Sequence, residues 1–164
     1  MEMSTPSKFA APSETSGSSL PRIVRAYGSL AGLIDYLQPV FALALRIYVA
    51  QVFFRSGLIK LQSWDSTLAL FRNEYHVPVL SPHVAAILGT CAEIGLPMLI
   101  VLGLGTRLAA PALFVFNIVA AISYPDLSDA GLKDHILWGA LLFVLFIYGP
   151  GRVSLDAWLE RKFG

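Results

Sequence analysis

The sequence predicts an all-α membrane protein: a four-helix bundle with a short extracytoplasmic interfacial helix and amphipathic surface helices near both termini. Hydrophobic residues make up 55% of the 164 residues and charged residues only 14%, and the mean hydropathy of +0.64 is too high for a soluble domain of this size. Four apolar segments have about the length that a helix needs to cross a bilayer, roughly 20 residues.

The N-terminal region precedes the first apolar segment. Residues 1–21 are rich in Ser, Pro and Thr and lack the apolar stretch of a signal peptide. We expect them to be a disordered tail, because they cannot bury enough apolar surface to offset their chain entropy. Residues 22–36, RIVRAYGSLAGLIDY, predict a short amphipathic helix on a membrane surface.

The transmembrane domain is predicted over residues 37–150, with spans at 38–60, 83–104, 106–124 and 134–149. The last span is short at its core, but Asp134 and His135 extend it into the interface.

Three further predictions concern the segments outside the spans. Gly105 and its neighbours leave room only for a tight hairpin between the second and third spans. The segment DSTLALFRNEY predicts an interfacial helix, and in the 151–164 tail Ser154 is expected to cap a short amphipathic helix.

The positions of Lys and Arg predict that both termini are cytoplasmic, in a multi-pass protein of the cell inner membrane. Three basic residues fall on the opposite side of the membrane: Lys60, Arg72 and Lys133. Those on the side of the termini are Lys8, Arg22, Arg25, Arg107, Arg152, Arg161 and Lys162.

The first span carries cations on two faces. At 100° per residue, one stripe contains Arg46, Ala50, Phe53, Gly57 and Lys60. Arg55 points to the opposite side, near the end of the span, where a long side chain reaches water at small cost. Arg46 lies deeper in the apolar run and therefore needs a partner.

Glu93 is the acid that lies inside a predicted span, and whether it pairs with Arg46 or Lys60 stays open at this stage. Pro97 lacks an amide hydrogen, so the Glu93 carbonyl loses its helical hydrogen bond. We predict a polar intramembrane site of Arg46, Lys60, Glu93 and Asn117. A bundle-locking ion pair and a ligand or proton site are equally open, and for Asn117 an interhelical hydrogen bond is favoured.

Small residues predict where the helices pack. In the second span, Ala86, Gly89, Thr90, Glu93 and Pro97 share one face. Cys91 points away from Glu93 and is interpreted as a small apolar packing residue. In the fourth span the predicted packing stripe contains His135, Gly139, Leu142, Phe146 and Gly149.

Several function classes are excluded. The net charge of +1 argues against nucleic-acid binding, and a single cysteine excludes an intrachain disulfide or a four-cysteine metal site. His76, His83 and His135 follow no ligand spacing, so no metal is expected. No catalytic residue can be named, because no catalytic motif occurs.

The remaining motifs resemble those of a known family. Arg46 is followed by Gly57, Lys60 and Leu61; Glu93 precedes the GLGTR turn, which supplies Gly103 and Arg107; Ala120 follows; and GPGRVSLD supplies Gly149, Pro150, Gly151, Ser154 and Asp156. In this order, from about Arg46 to Asp156, the chain resembles the DoxX family of small four-helix bacterial membrane proteins.

The resemblance implies a function as well as a fold. Some family members resemble subunits of membrane oxidoreductases, including thiosulfate:quinone oxidoreductase and complexes with superoxide dismutase and a sulfurtransferase. It implies a quinone-interacting or anchoring membrane subunit, with the lipid bilayer and other redox subunits as partners and quinone as the one candidate cofactor. A small proton- or anion-coupled transporter and a non-catalytic anchor are the alternatives, and a homo-oligomer stays open.

Overall fold

The computed structural model describes residues 22–163, and this range is helical with no strand. The tail expected over residues 1–21 lies outside the described residues. The helices are α1 Arg22–Gln62, α2 Trp64–Asn73, α3 Pro82–Leu102, α4 Thr106–Ser123, α5 Asp129–Tyr148 and α6 Leu155–Phe163. The predicted all-α class is confirmed.

The described residues divide into two compact units, residues 22–35 and 36–163. In the first unit, the described residues 22–35 are helical, and apolar side chains such as Tyr27 and Leu33 are exposed. No break separates the predicted surface helix over 22–36 from the span predicted to begin at residue 38, because α1 covers both ranges with Pro39 inside it.

The second unit contains the predicted bundle. Four helices, α1, α3, α4 and α5, are long and apolar enough to cross a membrane. The bounds of α3 and α4 agree with the predicted spans to within two residues. α5 begins five residues before the predicted 134, because Ser128 caps it by accepting a hydrogen bond from the Gly131 amide at 3.2 Å.

The two ends of this unit are named here after the short helices that they carry. The α2 end contains α2, which follows α1 directly, the loop between α2 and α3 and the loop between α4 and α5. The α6 end contains the turn between α3 and α4 and the segment that leads into α6. Ser154 caps α6 by accepting a hydrogen bond from the Ala157 amide at 3.1 Å, as predicted.

Two apolar clusters hold the helices together. The main core consists of nine buried side chains from the four long helices: Val49, Ala50, Phe53, Ile100, Ala109, Ala110, Leu113, Leu142 and Leu145. A smaller cluster of Phe71, Ala85 and Ala86 packs α2 against the first turns of α3. The hydroxyl of Thr67 also joins α2 to α1, donating to the Lys60 carbonyl at 2.9 Å.

The predicted faces of α1 and α3 are confirmed. Arg46, Ala50, Phe53 and Gly57 are buried and Lys60 is half-buried, whereas Arg55 is exposed. On α3, all five residues of the predicted stripe are buried, and Cys91 is exposed on the opposite side.

The predicted packing face of α5 is wrong at one position. Gly139, Leu142 and Gly149 are buried, but Phe146 is 40% exposed and Leu145 is 1% exposed. Both Leu145 and Phe146 follow Leu142 at a helical spacing, three and four residues on. The smaller step continues the buried face.

Candidate functional site

An ion pair between α1 and α3 forms the centre of the candidate site. The Nζ atom of Lys60 donates to Glu93 Oε2 at 2.7 Å and to Oε1 at 2.8 Å. Both side chains are largely buried, with exposed fractions of 11% for Lys60 and 7% for Glu93. The structure therefore answers the question left open by the sequence: Glu93 pairs with Lys60.

Ser56 completes this cluster. Its Oγ atom accepts a hydrogen bond from Lys60 Nζ at 2.9 Å and donates one to Glu93 Oε1 at 3.1 Å. The sequence analysis did not include Ser56. The available signal was its spacing of four residues from Lys60, which places both side chains on neighbouring turns of one helix face.

Gly57 sets the distance between α1 and α3 at this point. A Cβ atom on Gly57 would lie 2.7 Å from Ile94 Cγ1 and 3.0 Å from Glu93 Cβ. A larger residue here would push the helices apart, so glycine allows the approach that the ion pair requires. Pro97, one turn beyond Glu93, is buried inside α3 and leaves the Glu93 carbonyl without its helical donor.

Arg46 belongs to a different cluster, at the α6 end. It lies 14 residues before Lys60, which is about 21 Å along a helix. Its guanidinium donates to the carbonyl of Val101 at 3.3 Å and to that of Val153. The expected contribution of Arg46 to a shared site with Glu93 is therefore wrong, because the two terminal nitrogens of this buried cation bind backbone carbonyls at the other end of the bundle.

The family motifs converge around Arg46. Gly103 ends α3 with φ of 68°, and a Cβ atom there would overlap the Arg46 guanidinium and Ser154. The Asp156 carboxylate accepts from the amides of Gly105 at 2.8 Å and Thr106 at 3.2 Å, at the start of α4. Because these bonds join segments distant in sequence, this cluster locks the α6 end of the bundle.

Other motif residues line the same end. Gly149 lies beside Arg107, with 3.3 Å between a Cβ added to the glycine and Arg107 Nε. A Cβ atom added to Gly151 would lie 2.9 Å from the Cβ atom of Ala42 on α1. Pro150 lies between the two glycines in the sequence. Gly89 lies in the other half of the bundle. A Cβ atom added there would be at ordinary van der Waals distances from its neighbours, 3.5 Å from Phe71 and 3.8 Å from Phe116.

Asn117 pairs with His135 of α5 and not with Glu93. Its Nδ2 donates to the His135 carbonyl at 2.8 Å, and its Oδ1 lies 2.8 Å from His135 Nδ1. Since a carbonyl cannot donate, the first contact fixes the amide orientation, and Oδ1 must accept from a protonated Nδ1. In the neutral ring, Nε2 is then the hydrogen-bond acceptor.

A cavity of about 720 Å³ brings Glu93, Ser56 and His135 to one surface. Its walls come from α1, α3, α4, α5 and the two loops of the α2 end, and much of the lining is aromatic: Phe53, Phe54, Tyr75, Phe116, Tyr124 and Trp138. Phe53 holds two of these rings edge-on, with centroids 6.4 Å from Phe116 and 5.8 Å from Trp138.

A second cavity, of about 220 Å³, lies on another side of Glu93. Its polar lining consists of Lys60, Tyr75, Glu93 and Ser123. Among the described residues, no group of three His, Cys, Asp or Glu side chains is arranged to hold a metal ion.

Sequence comparison gives the family. Residues 41–125 match the family described as DoxX. The chain belongs to the DoxX family. The Arg46 cluster and the Glu93 cluster are thus polar centres of a DoxX protein. With four apolar helices of sufficient length, this DoxX chain is a multi-pass membrane protein.

Curated relatives extend the match beyond that segment. The inner membrane protein YphA of Escherichia coli (strain K12) is 31% identical over 130 residues, or 73% of this chain and 90% of YphA. An uncharacterized protein of Haemophilus influenzae is 30% identical over 137 residues, or 76% of this chain and 86% of that protein. No solved structure matches.

Proposed function

We propose that this DoxX protein binds the head group of a lipid-soluble quinone in the 720 Å³ cavity. The observation that carries the proposal is the position of the Lys60–Glu93–Ser56 cluster at the wall of an aromatic cavity inside the membrane domain. Ligand sites are commonly apolar cavities of roughly 300–1,000 Å³ with a few polar groups that fix orientation.

The lining fits the chemistry of a quinone. Aromatic side chains offer flat faces for a planar ring, and its two carbonyl oxygens need hydrogen-bond donors. Tyr75 and Tyr124 carry hydroxyl donors, and the Lys60 ammonium stands behind Glu93. His135, held by Asn117, presents an acceptor nitrogen in its neutral form, which can accept a hydrogen bond from the hydroxyl of the reduced quinol. A bound quinone would supply two-electron, two-proton redox chemistry.

The cavity also borders the lipid-facing surface. Arg55, Leu58 and Ile59 line it and are exposed on α1. An isoprenoid tail can therefore extend into the bilayer while the head group occupies the cavity. The cation of Arg55 at this edge suits the interface between lipid and water.

The same proposal places the protein in a larger assembly. The chain has no redox-cofactor motif, so electrons would come from a partner, and this DoxX protein would be the membrane subunit of an oxidoreductase. From the distribution of Lys and Arg and the name of the YphA relative, we infer an inner-membrane location with both termini cytoplasmic.

Proton- or anion-coupled transport is the second candidate, favoured by the cavities on two sides of Glu93. A transport path would also need to reach the α6 end. Buried apolar side chains such as Ile100, Ala110 and Leu145 fill that part of the bundle, which favours a binding site that opens at one end.

Quinone binding can be measured through Trp138. In a Trp64→Phe, Trp158→Phe background, a short-chain quinone added to protein in nanodiscs should quench Trp138 fluorescence saturably. Ala120→Leu, which fills the cavity, should weaken binding by about tenfold or more, while Ala112→Leu on the exposed face of α4 should not.

Three outcomes would contradict the proposal. Quenching that rises linearly with the quinone content of the lipid, equally in both leucine variants, would show simple partitioning. Flux of protons in liposomes that Glu93→Gln abolishes, without saturable quinone binding, would favour transport. Absence of both saturable quinone binding and proton flux in the unmodified chain, with Glu93→Gln changing only stability, would favour a non-catalytic anchor.

A further inference from the structure

Three cavities meet at Tyr75. The side chain of Tyr75 lines the large cavity, the 220 Å³ cavity and a third cavity of about 290 Å³ at the α2 end. The third cavity includes Arg72 and His76, which are exposed. It shares Phe71, Tyr75 and Ala85 with the 220 Å³ cavity, so the two cavities lie next to each other.

The 220 Å³ cavity contains a polar group with no protein partner. Ser123 is 1% exposed, and its Oγ atom makes no hydrogen bond to any described residue. An unsatisfied buried hydroxyl is costly, and a buried water is its usual partner. At about 30 Å³ per molecule, the cavity has room for several waters. Most of its lining is apolar, and the polar residues that would hold water there are Ser123, Tyr75, Lys60 and Glu93.

The loop before α3 holds Tyr75 and Ser123 close to each other. The His76 amide donates to the Ser123 carbonyl at 2.7 Å. The Tyr75 ring stacks on Phe71 at 4.9 Å and lies 5.3 Å from Tyr124. Burial, followed by the charges of Glu93, Tyr124 and Glu74, raises the pKa of the Tyr75 phenol, so its hydroxyl stays protonated at neutral pH. It can accept one hydrogen bond and donate another.

We propose that Tyr75, Ser123 and water in the 220 Å³ cavity form a proton route from the α2-end surface to Glu93. A proton entering near His76 would pass along hydrogen bonds to the Glu93 carboxylate, with each hydroxyl accepting one proton and releasing another. This proposal rests on the proposed function, because the route would supply the protons that quinone reduction in the large cavity consumes. The hydration of the cavity does not depend on quinone.

The groups around the route favour this end of the bundle. Lys60 on α1 faces Glu93 from one side, and Tyr75 and Tyr124 border the large cavity that Glu93 also lines. Toward the α6 end, the apolar core separates Glu93 from Arg46. Water that reaches Glu93 therefore enters from the α2 end.

Thiol accessibility tests the hydration of the cavity. In a Cys91→Ser background in proteoliposomes, Ser123→Cys should react with a small cationic methanethiosulfonate reagent added to the α2-end side. Ala110→Cys, buried in the dry core, is the matched control, and exposed Ser128→Cys reports sidedness. We expect Ser123→Cys to react at least about tenfold faster than Ala110→Cys, because the thiolate that reacts needs water.

Cavity-filling substitutions provide a second test of the route in the same labelling experiment. Ala85→Leu narrows the passage shared by the two smaller cavities, and Ala92→Leu, at a half-buried position, fills the 220 Å³ cavity if the first variant does not fold. Either change should slow labelling of Ser123→Cys by about tenfold. A rate equal to that of Ala110→Cys without any plug, or labelling only from the α6-end side, would overturn the proposal.

Proton exchange tests the route itself. Water-edited solid-state NMR in bilayers without quinone measures magnetisation transfer from water to the Glu93 carboxyl carbon. Transfer should be present in the unmodified chain and reduced about threefold or more by Tyr75→Phe, which keeps the ring stack. Unchanged transfer in both Tyr75→Phe and Ser123→Ala would overturn the route. Failure of quinone binding alone would leave these results intact.

Discussion

The Nζ atom of Lys60 lies within 2.8 Å of both carboxylate oxygens of Glu93, and this contact joins α1 to α3 inside the bundle. Only a small fraction of either side chain is exposed. Charges in such surroundings are stable only as a pair, because each would otherwise lose hydration without compensation. The ion pair thus fixes two helices and at the same time places a carboxylate beside two cavities.

Removing one member of the pair should destabilise the protein more than removing both. Lys60→Met and Glu93→Gln should each lower the free energy of unfolding by about 3–5 kcal/mol, since each leaves a buried charge or polar group unpaired. The double variant should lose less stability than either single variant. Reversible unfolding in detergent micelles, analysed as a double-mutant cycle, measures the coupling. Additive losses would show that the pair contributes nothing to stability.

Gly57 should tolerate no side chain, in contrast to a second glycine in the bundle. Gly57→Ala places a methyl group against Ile94 and Glu93 and should cost about 1–3 kcal/mol of stability. Gly95→Ala on α3 is the control, because nothing lies within 4 Å of the added Cβ. It should be neutral or stabilising by up to about 1 kcal/mol. Equal effects of the two changes in thermal unfolding would contradict the close approach at Gly57.

The sequence was sufficient for the helices but not for the partner of Glu93. Hydrophobic length and cap residues such as Ser154 predict elements directly. Pairing depends on the axial offset of α1 and α3. Gly57, which faces Glu93, is 5 residues from the end of α1, whereas Glu93 is 11 residues from the start of α3. These distances are about 7.5 Å and 16.5 Å, so α3 extends past α1, against α2.

Arg46 was unpredictable for a related reason. A buried arginine was expected to need a partner, with Glu93 as one candidate, yet its partners are the carbonyls of Val101 and Val153, 55 and 107 residues away. A backbone carbonyl carries no side-chain signal in a sequence. The resemblance to DoxX did point to the surrounding motif, and the structure gives that motif a physical reason: Gly103 leaves space for the guanidinium.

The Asp156 cap should be important for the α6 end. Asp156→Asn removes the charge that two amides at the start of α4 bind, and it should lower stability by about 0.5–2 kcal/mol. Glu160→Gln, an exposed carboxylate one turn further along α6, is the control and should change stability by less than about 0.5 kcal/mol. The comparison is made by chemical denaturation at low and high salt. An equal response of both variants would exclude a specific cap.

Tyr75 should titrate above the ordinary tyrosine range. Its raised pKa means that the unfolded chain ionises this phenol first, at about pH 10. Stability contributed by burying the neutral phenol is therefore present below that pH and is lost as pH rises toward the pKa of the folded state. Difference absorbance between the unmodified chain and Tyr75→Phe measures this titration. A midpoint at or below pH 10 would contradict the buried position of the hydroxyl.

Asn117 should control the tautomer of His135. The amide oxygen of Asn117 accepts from Nδ1–H, so neutral His135 should be almost entirely protonated on Nδ1. A neutral imidazole in water is not restricted to that tautomer. Asn117→Leu removes both hydrogen bonds at similar volume and should release the ring to a mixture of tautomers. Nitrogen-15 NMR of labelled histidine distinguishes the two states, and His83 serves as the internal control. If His135 is protonated on Nε2 in the unmodified chain, it would present a donor to the large cavity, and the proposed role as acceptor for a quinol hydroxyl would be wrong.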